Sequence, residues 1–360
     1  MKKKQPFVLT NDFLSKEGKK MIHLTMFSSA DRVAGQGVGS AYQELVHLLK
    51  KYHSASLVVS INRYTKTQIS HYHTIDPTYY ISTFFRRRFG RRVGYVHFLP
   101  STLKGSIQLP KWIEKLFFYY VIAFYKRMDH LVVVNPSFIK ELAKYGIAKE
   151  NVTYIPNFVT KTEFHRLEPK TIQQLKIALG LSKDQFIVLG AGQVQERKGV
   201  LDFAALAEEM PEIQFIWAGG FSFGKITDGY EKFKKLMEHP PENLLFTGIL
   251  KREEMLNYYN MADVFLLPSY EELFPMCILE AFSCETPVIL RDLSLYLPIL
   301  EGYYAAAKDK GEMKAKIEQL KNDPVFYRNL LQKALAGSEA YSEERLAQVW
   351  LEFYQQQANS

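Results

Sequence analysis

The chain has 360 residues, enough for two domains that each bury a core. Its 47% apolar and 23% charged residues exclude a disordered chain, and its two cysteines, Cys277 and Cys284, exclude a disulfide framework and fit a reducing cytoplasm. A formal net charge of +8 calls for an acidic partner: nucleic acid, a phosphate ligand or an anionic membrane surface.

Residues 1–20 are lysine-rich, without periodicity and without the apolar run of a secretory signal. Lys16-Glu17-Gly18-Lys19-Lys20 back-translates to a purine-rich tract before a Met codon, so Met21 is expected to be the natural start and 1–20 an extension. The first strand is MIHLTMF at 21–27. A loop at 28–36 leads to a helix on which Val38, Tyr42, Leu45, Val46 and Leu49 recur at helical spacing. Gly35, Gly37 and Gly39 at its entry either let a phosphate approach the backbone or simply make the turn, since full GxGxxG spacing is missing.

SLVVSI (56–61), RVGYVHF (92–98) and HLVVV (130–134) are the next strands, alternating with helices as a parallel sheet requires. His97, at the end of the second, is placed to bond a sugar hydroxyl or shuttle a proton; a structural histidine is the alternative. His71 and His73 lack the Cys or spacing of a metal motif, so no metal site is expected. Arg86, Arg87, Arg88, Arg91 and Arg92 follow Phe84-Phe85, and Lys111, Trp112 and Lys115 precede the apolar run 116–125. That run is too short to span a bilayer. The stretch reads as an interfacial anchor on anionic lipid, or as a core helix beside a solvated face. No RNP-like, zinc-finger or helix-turn-helix pattern supports nucleic acid.

A linker lies near 155–158. The second α/β unit has strands at 186–191, 213–218, 244–247, 264–267 and 287–290, with helices at 199–209, 228–237 and 252–261; the chain ends in helices at 310–322, 326–335 and 342–356. Gln193, Arg197 and Lys198 sit between a strand end and a helix start, where cations clamp a diphosphate or remain solvated. Glu272 and Glu280 frame the stretch PSYEELFPMCILEAFSCETP with seven residues between them. Pro275 is expected at the first helical position, with Glu280 within two turns of the helix start. By themselves these acids read as a capping acid plus a solvated acid, ahead of the alternative of two carboxylates held at a ligand-binding helix start. The predicted fold class is α/β, two units facing each other across a cleft, the usual place for a ligand. The predicted divisions are the extension 1–20, a first domain 21–158, a second 159–338, and a helix at 339–360 packing back toward the first.

Taken in order, these parts resemble a GT-B glycosyltransferase of the retaining glycosyltransferase family 4, over most of 21–340. The parts are Gly35 to Gly39, His97, the IPN ending of the linker, Lys198-Gly199, the FTG at 246–248, the ADVFLLPS at 262–269, and Glu272-x7-Glu280. The resemblance implies two Rossmann-like domains and transfer of a hexose from a nucleotide sugar, UDP-galactose or UDP-glucose. His97, Glu272 and Lys198 would be the catalytic residues. The donor would be bound by Gly37, Gln193, Arg197, Lys198, Phe274, Met276, Glu272 and Glu280. Within that set Lys198 takes the diphosphate, Glu272 the sugar and Glu280 the ribose, and no cofactor or metal is needed. Gln193 stands where the family usually has Arg, and Pro275 where it usually has Gly, so one phosphate cation and one backbone donor are missing.

The opening MFSSADRVAGQGVGSAYQEL resembles more narrowly the bacterial synthases that extend glucosyl-diacylglycerol to a diglycosyl-diacylglycerol, a lipoteichoic-acid anchor. This implies a glycolipid acceptor and an enzyme peripheral on the inner face of the cell membrane, with Arg86, Arg87, Arg88, Arg91, Arg92, Trp112 and Lys115 at the surface. A soluble or polyprenyl-linked acceptor and a non-catalytic GT-B binding protein are the competing readings.

Overall fold

The computed structural model describes residues 21–30, 37–99, 110–221 and 229–360. The expectations for 1–20 and for Gly35 lie outside them. The first domain runs β1 (Ile22–Phe27), α1 (Gly37–His53), β2 (Leu57–Ile61), β3 (Ile69–Tyr72), α2 (Pro77–Ser82), α3 (Arg86–Phe89), β4 (Arg91–Val96), α4 (Lys111–Lys126), β5 (His130–Val133), α5 (Ser137–Lys144) and β6 (Val152–Tyr154). The second runs α6 (Pro169–Ala178), β7 (Ile187–Ala191), α7 (Val200–Glu209), β8 (Gln214–Ala218), α8 (Tyr230–Glu238), β9 (Leu244–Gly248), α9 (Arg252–Met261), β10 (Val264–Leu267), α10 (Met276–Ser283), β11 (Val288–Arg291), α11 (Leu297–Leu300), β12 (Ala305–Ala307), α12 (Lys310–Asn322) and α13 (Pro324–Ala340). The chain ends in α14 (Glu343–Asn359).

Each domain holds one parallel six-stranded sheet, ordered β2-β1-β3-β4-β5-β6 and β12-β11-β10-β7-β8-β9. Strands such as β5, β7 and β10 are buried along their whole length, because helices cover both faces of a parallel sheet. The chain therefore folds as two Rossmann-like domains whose strand ends open onto a shared cleft.

Four elements differ from expectation. β3, ISHY, carries Ser70 and His71 into a buried strand, and local polarity conceals it. The structure supplies their partners: Ser70 Oγ donates to the Phe89 carbonyl at 2.6 Å, and His71 Nδ1 lies 2.8 Å from the Tyr354 hydroxyl. β6 lies just ahead of the expected linker as the edge strand of the first sheet. β12 is three alanines paired to β11. Pro275 caps α10 with an extended ψ of 129° instead of occupying its first turn. Its neighbour explains this, because Asn157 Nδ2 of the interdomain segment donates to the Phe274 carbonyl at 3.2 Å and holds the loop open.

α14 crosses back onto the first sheet. Trp350 and Tyr354 are fully buried there, and Trp350 lies against Tyr95 with ring centroids 5.8 Å apart. His53 Nε2 meets the Ala347 carbonyl at 2.7 Å, and Lys51 pairs with Glu343 at 2.6 Å. The domains also meet at Arg252 of α9. Its guanidinium reaches Glu44 of α1, Glu163 at 2.5 Å and Glu280 at 3.1 Å, and stacks 4.8 Å from the Phe164 ring. Burial pushes the Glu44 carboxyl up to about 7 against the pull of Arg252.

Truncating Trp350 to Ala is expected to cost about 3–5 kcal/mol, read as a lowered denaturation midpoint of the first domain. A carboxyl raised on folding contributes stability that is full below its unfolded value and lost as pH rises through its folded one. The stability difference between wild type and Glu44→Gln should therefore shift between about pH 4.5 and about pH 7 and stay flat above, in denaturation series across pH. Parallel profiles would remove Glu44 from that role.

Candidate active site

The cleft measures about 1000 Å³ and draws its walls from both domains. β7 and β10 are paired side by side, Val264 opposite Val188, so the loops that leave their carboxyl ends are neighbours. One loop carries Lys198 and the other Glu272. The approach is close because residue 199 is Gly, with φ of 69°, where any Cβ would collide with the Pro268 carbonyl.

Lys198 Nζ and Glu272 Oε1 form an ion pair at the cleft wall, both side chains nearly buried. Burial would raise the Glu272 carboxyl. The charges of Lys198 and Arg197, with the Lys198 hydrogen bond, outweigh it and hold Glu272 below the usual carboxylate range. Glu272 is thus an anion that accepts hydrogen bonds. Gln193, Gln195 and Arg197 form a chain beside the pair: Gln195 donates to Gln193, and Arg197 Nε donates to Gln195 Oε1 at 3.0 Å. Arg197 also lines the cleft, so a cation stands near the position where Gln193 brings none.

Glu280 is the fifth residue of α10. The Tyr259 hydroxyl donates to its Oε2 at 2.8 Å, and Arg252 Nη1 holds its Oε1. Phe274 and Met276 line the cleft at the start of α10, where the first backbone N–H groups of a helix lack internal partners and attract anions. Lys198, Glu272, Glu280, Phe274 and Met276 therefore surround one helix start. Gly37 opens α1 after the segment outside the described residues.

His97 follows β4 and lines the opposite wall. Its Nε2 lies 3.4 Å from His73 Nδ1, and its ring stands edge-on to Tyr95 at 4.3 Å. Burial pulls its pKa down to about 3, and His71 and His73 are lowered in the same way. At neutral pH His97 is an uncharged imidazole, suited to bonding a hydroxyl and far from the poise of a proton shuttle.

The basic stretch divides. Arg92 is tied inward, with Nη2 at 2.6 Å from Asp129 Oδ1, and Arg91 Nε donates to Gln357 Oε1 at 2.6 Å. Neither is a free surface charge, because β4 begins at Arg91 and draws both into the sheet edge. Arg86, Arg87 and Arg88 remain exposed on α3 next to Phe84 and Phe85. On α4, Trp112, Leu116 and Tyr119 form one outward stripe, 70%, 63% and 76% exposed, with Lys115 beside it. Among the described residues no helix is long and apolar enough to cross a membrane. Glu44, Arg252, Tyr259 and His73 were not legible as site residues. The only signal for His73 is its period-two spacing with Ile69 and His71.

The model for glycosyl transferases group 1 matches residues 171–336, and that for Glycosyltransferase Family 4 matches residues 32–163. The chain is 53% identical over 348 residues to the alpha-galactosylglucosyldiacylglycerol synthase of Streptococcus pneumoniae, covering 97% of this chain and 93% of that one. It is 26% identical over 206 residues to the processive diacylglycerol alpha-glucosyltransferase of Acholeplasma laidlawii, covering 55% of this chain and 61% of that one. In fold it is similar to Anabaena HepE solved in complex with UDP-glucose, with a TM-score of 0.75 at 15% identity over 93% of this chain and 100% of that one. A donor-type helix start facing a neutral histidine across two Rossmann-like domains agrees with these matches: the chain belongs to glycosyltransferase family 4 and is a GT-B hexosyltransferase.

Proposed function

We propose that the chain moves a hexose from a UDP-sugar to a membrane glycolipid of the glucosyl-diacylglycerol type, with retention at the anomeric carbon. The product is a diglycosyl-diacylglycerol, a lipoteichoic-acid anchor. The supporting observation is the Lys198, Glu272 and Glu280 constellation around one helix start, in a chain 53% identical to a synthase named for galactosylglucosyldiacylglycerol. That name favours UDP-galactose; the UDP-glucose complex of HepE keeps UDP-glucose in the screen.

The chemistry follows from the charges. As the bond from C1 to the diphosphate oxygen breaks, negative charge grows on the leaving group, where Lys198, Arg197 and the α10 amides stabilise it. Glu272 holds sugar hydroxyls and Glu280 the ribose. The acceptor hydroxyl attacks C1 from the leaving-group face, and its proton passes to a phosphate oxygen, so no side chain is needed as a base. These cations do the work a metal would do, and transfer should survive a chelator.

The acceptor lies in a membrane, and the outward stripe of α4 with Arg86, Arg87 and Arg88 suits an anionic surface on the cytoplasmic side.

Lys198→Ala and Glu272→Ala should each lower kcat by about 10²–10³, measured with UDP-hexose and glucosyl-diacylglycerol; unchanged turnover would exclude the assigned roles and revive a non-catalytic reading. Arg86→Ser with Arg87→Ser should weaken binding to anionic liposomes by about thirtyfold, at about 1 kcal/mol per charge. Flotation equal to wild type would sink the membrane assignment.

A further inference from the structure

The half of the cleft opposite the donor residues has its own chemistry. Its described wall in the first domain includes Ser29, Thr74, Ile75, Asp76, Phe98 and Tyr120. Asp76 is the one acidic side chain there, and no Lys or Arg joins it among the described residues. Two hydroxyls fix one of its oxygens: Ser29 Oγ donates to Asp76 Oδ2 at 2.7 Å, and Thr74 Oγ1 does so at 2.5 Å. Its Oδ1 has no hydrogen-bond partner among the described residues. The turn is bolted to α4, because the Tyr120 hydroxyl donates to the Ile75 carbonyl at 2.5 Å.

Beyond the carboxylate the wall turns apolar through Ile75, Phe98, Phe117 and Tyr120. At about 100° per residue, Phe117 and Tyr120 stand on the side of α4 that adjoins the outward stripe of Trp112, Leu116 and Tyr119. One helix therefore borders the cleft on one side and presents exposed apolar residues on the next. A ligand with a hydroxyl-rich head and an apolar body fits that sequence of surfaces. An anionic head would meet the Asp76 carboxylate, with no Lys or Arg on this wall among the described residues.

We propose that Asp76, fixed by Ser29 and Thr74, binds the hydroxyls of the acceptor sugar, with Ile75, Phe98, Phe117 and Tyr120 taking the adjoining lipid. The acceptor class is then an uncharged glycosylated lipid, and a sugar carried on a lipid diphosphate is rejected. This rests on the glycolipid reading above. A carboxylate hydrogen bond to a sugar hydroxyl is charge-assisted and among the stronger kinds, so its loss is visible in acceptor affinity.

The test compares wild type, Asp76→Asn and Thr74→Val on monoglucosyl-diacylglycerol in mixed micelles, with UDP affinity measured separately by calorimetry. Asp76→Asn keeps the shape and an oxygen for Ser29 and Thr74 but replaces the free acceptor oxygen with a donor. It should raise the acceptor KM by about tenfold or more, with UDP affinity within about twofold of wild type. Thr74→Val should shift KM in the same direction by less. Wild type should not use a polyprenyl-diphosphate-linked sugar. An unchanged acceptor KM in a variant that still binds UDP overturns the assignment, as does efficient wild-type use of the diphosphate-linked acceptor. Failure of the glycolipid reading itself shows separately, as wild type that transfers to no glycosyl-diacylglycerol.

Discussion

Lys198 pairs with Glu272 at the end of two adjacent strands, and the rest of the cleft is arranged around that contact. Removing an ion pair from water is costly unless other groups compensate. Here Arg197 supplies a second positive charge, and the pair opens onto the cleft rather than a sealed core. The position is a consequence of topology. Strand order in the second sheet reverses between β10 and β7, so their loops splay apart above the sheet and leave a crevice at the switch point. Gly199 lets the Lys198 loop rest on the Pro268 carbonyl, and Lys198 stretches along Gly192 to reach Glu272. The same cation lines the cleft together with the start of α10.

The three carboxylates at and behind this wall are separated by environment. Glu272 is held anionic by cations. Glu280 is tied on both oxygens, by Tyr259 and Arg252. Glu44 is pushed up to about 7 by burial. Arg252 links the last two across the domain boundary, so the carboxylate of α10 and the joint between domains share one guanidinium. The histidines of the opposite wall are uncharged at neutral pH, because β3 and β4 bury them among Tyr42, Tyr95 and Trp350. The two walls therefore differ in character: the second-domain wall carries Lys198, Arg197, Glu272 and Glu280, and the first-domain wall carries uncharged histidines with the single carboxylate of Asp76 among the described residues.

Much of this was legible from periodicity. The helix at 252–261 and the strand at 264–267 match the structure residue for residue, since their apolar runs and flanking polar residues leave little ambiguity. β3 was not legible, because Ser70 and His71 look like surface residues until the Phe89 carbonyl and, far along the chain, Tyr354 are seen to partner them. The same limit hid the Glu44 and Arg252 pair, whose members are 208 positions apart. Pro275 misled locally: its preference for a first helical turn is overridden by the Asn157 contact that anchors Phe274. Arg91 and Arg92 read as part of one basic run, yet a strand begins there and Asp129 waits just ahead of the next one. The order of Lys198, Glu272 and Glu280 along the chain was readable; that they converge on one helix start required the sheet.

The proposed reaction is front-face transfer from a donor held by Lys198, Glu272 and Glu280 to a diacylglycerol glycolipid. The most direct measurement is the NMR spectrum of the product formed from UDP-hexose and glucosyl-diacylglycerol. The account predicts a new sugar with the small anomeric coupling of an α linkage, joined to the acceptor glucose. A β-linked product, or release of free hexose with no glycolipid extended, would contradict it.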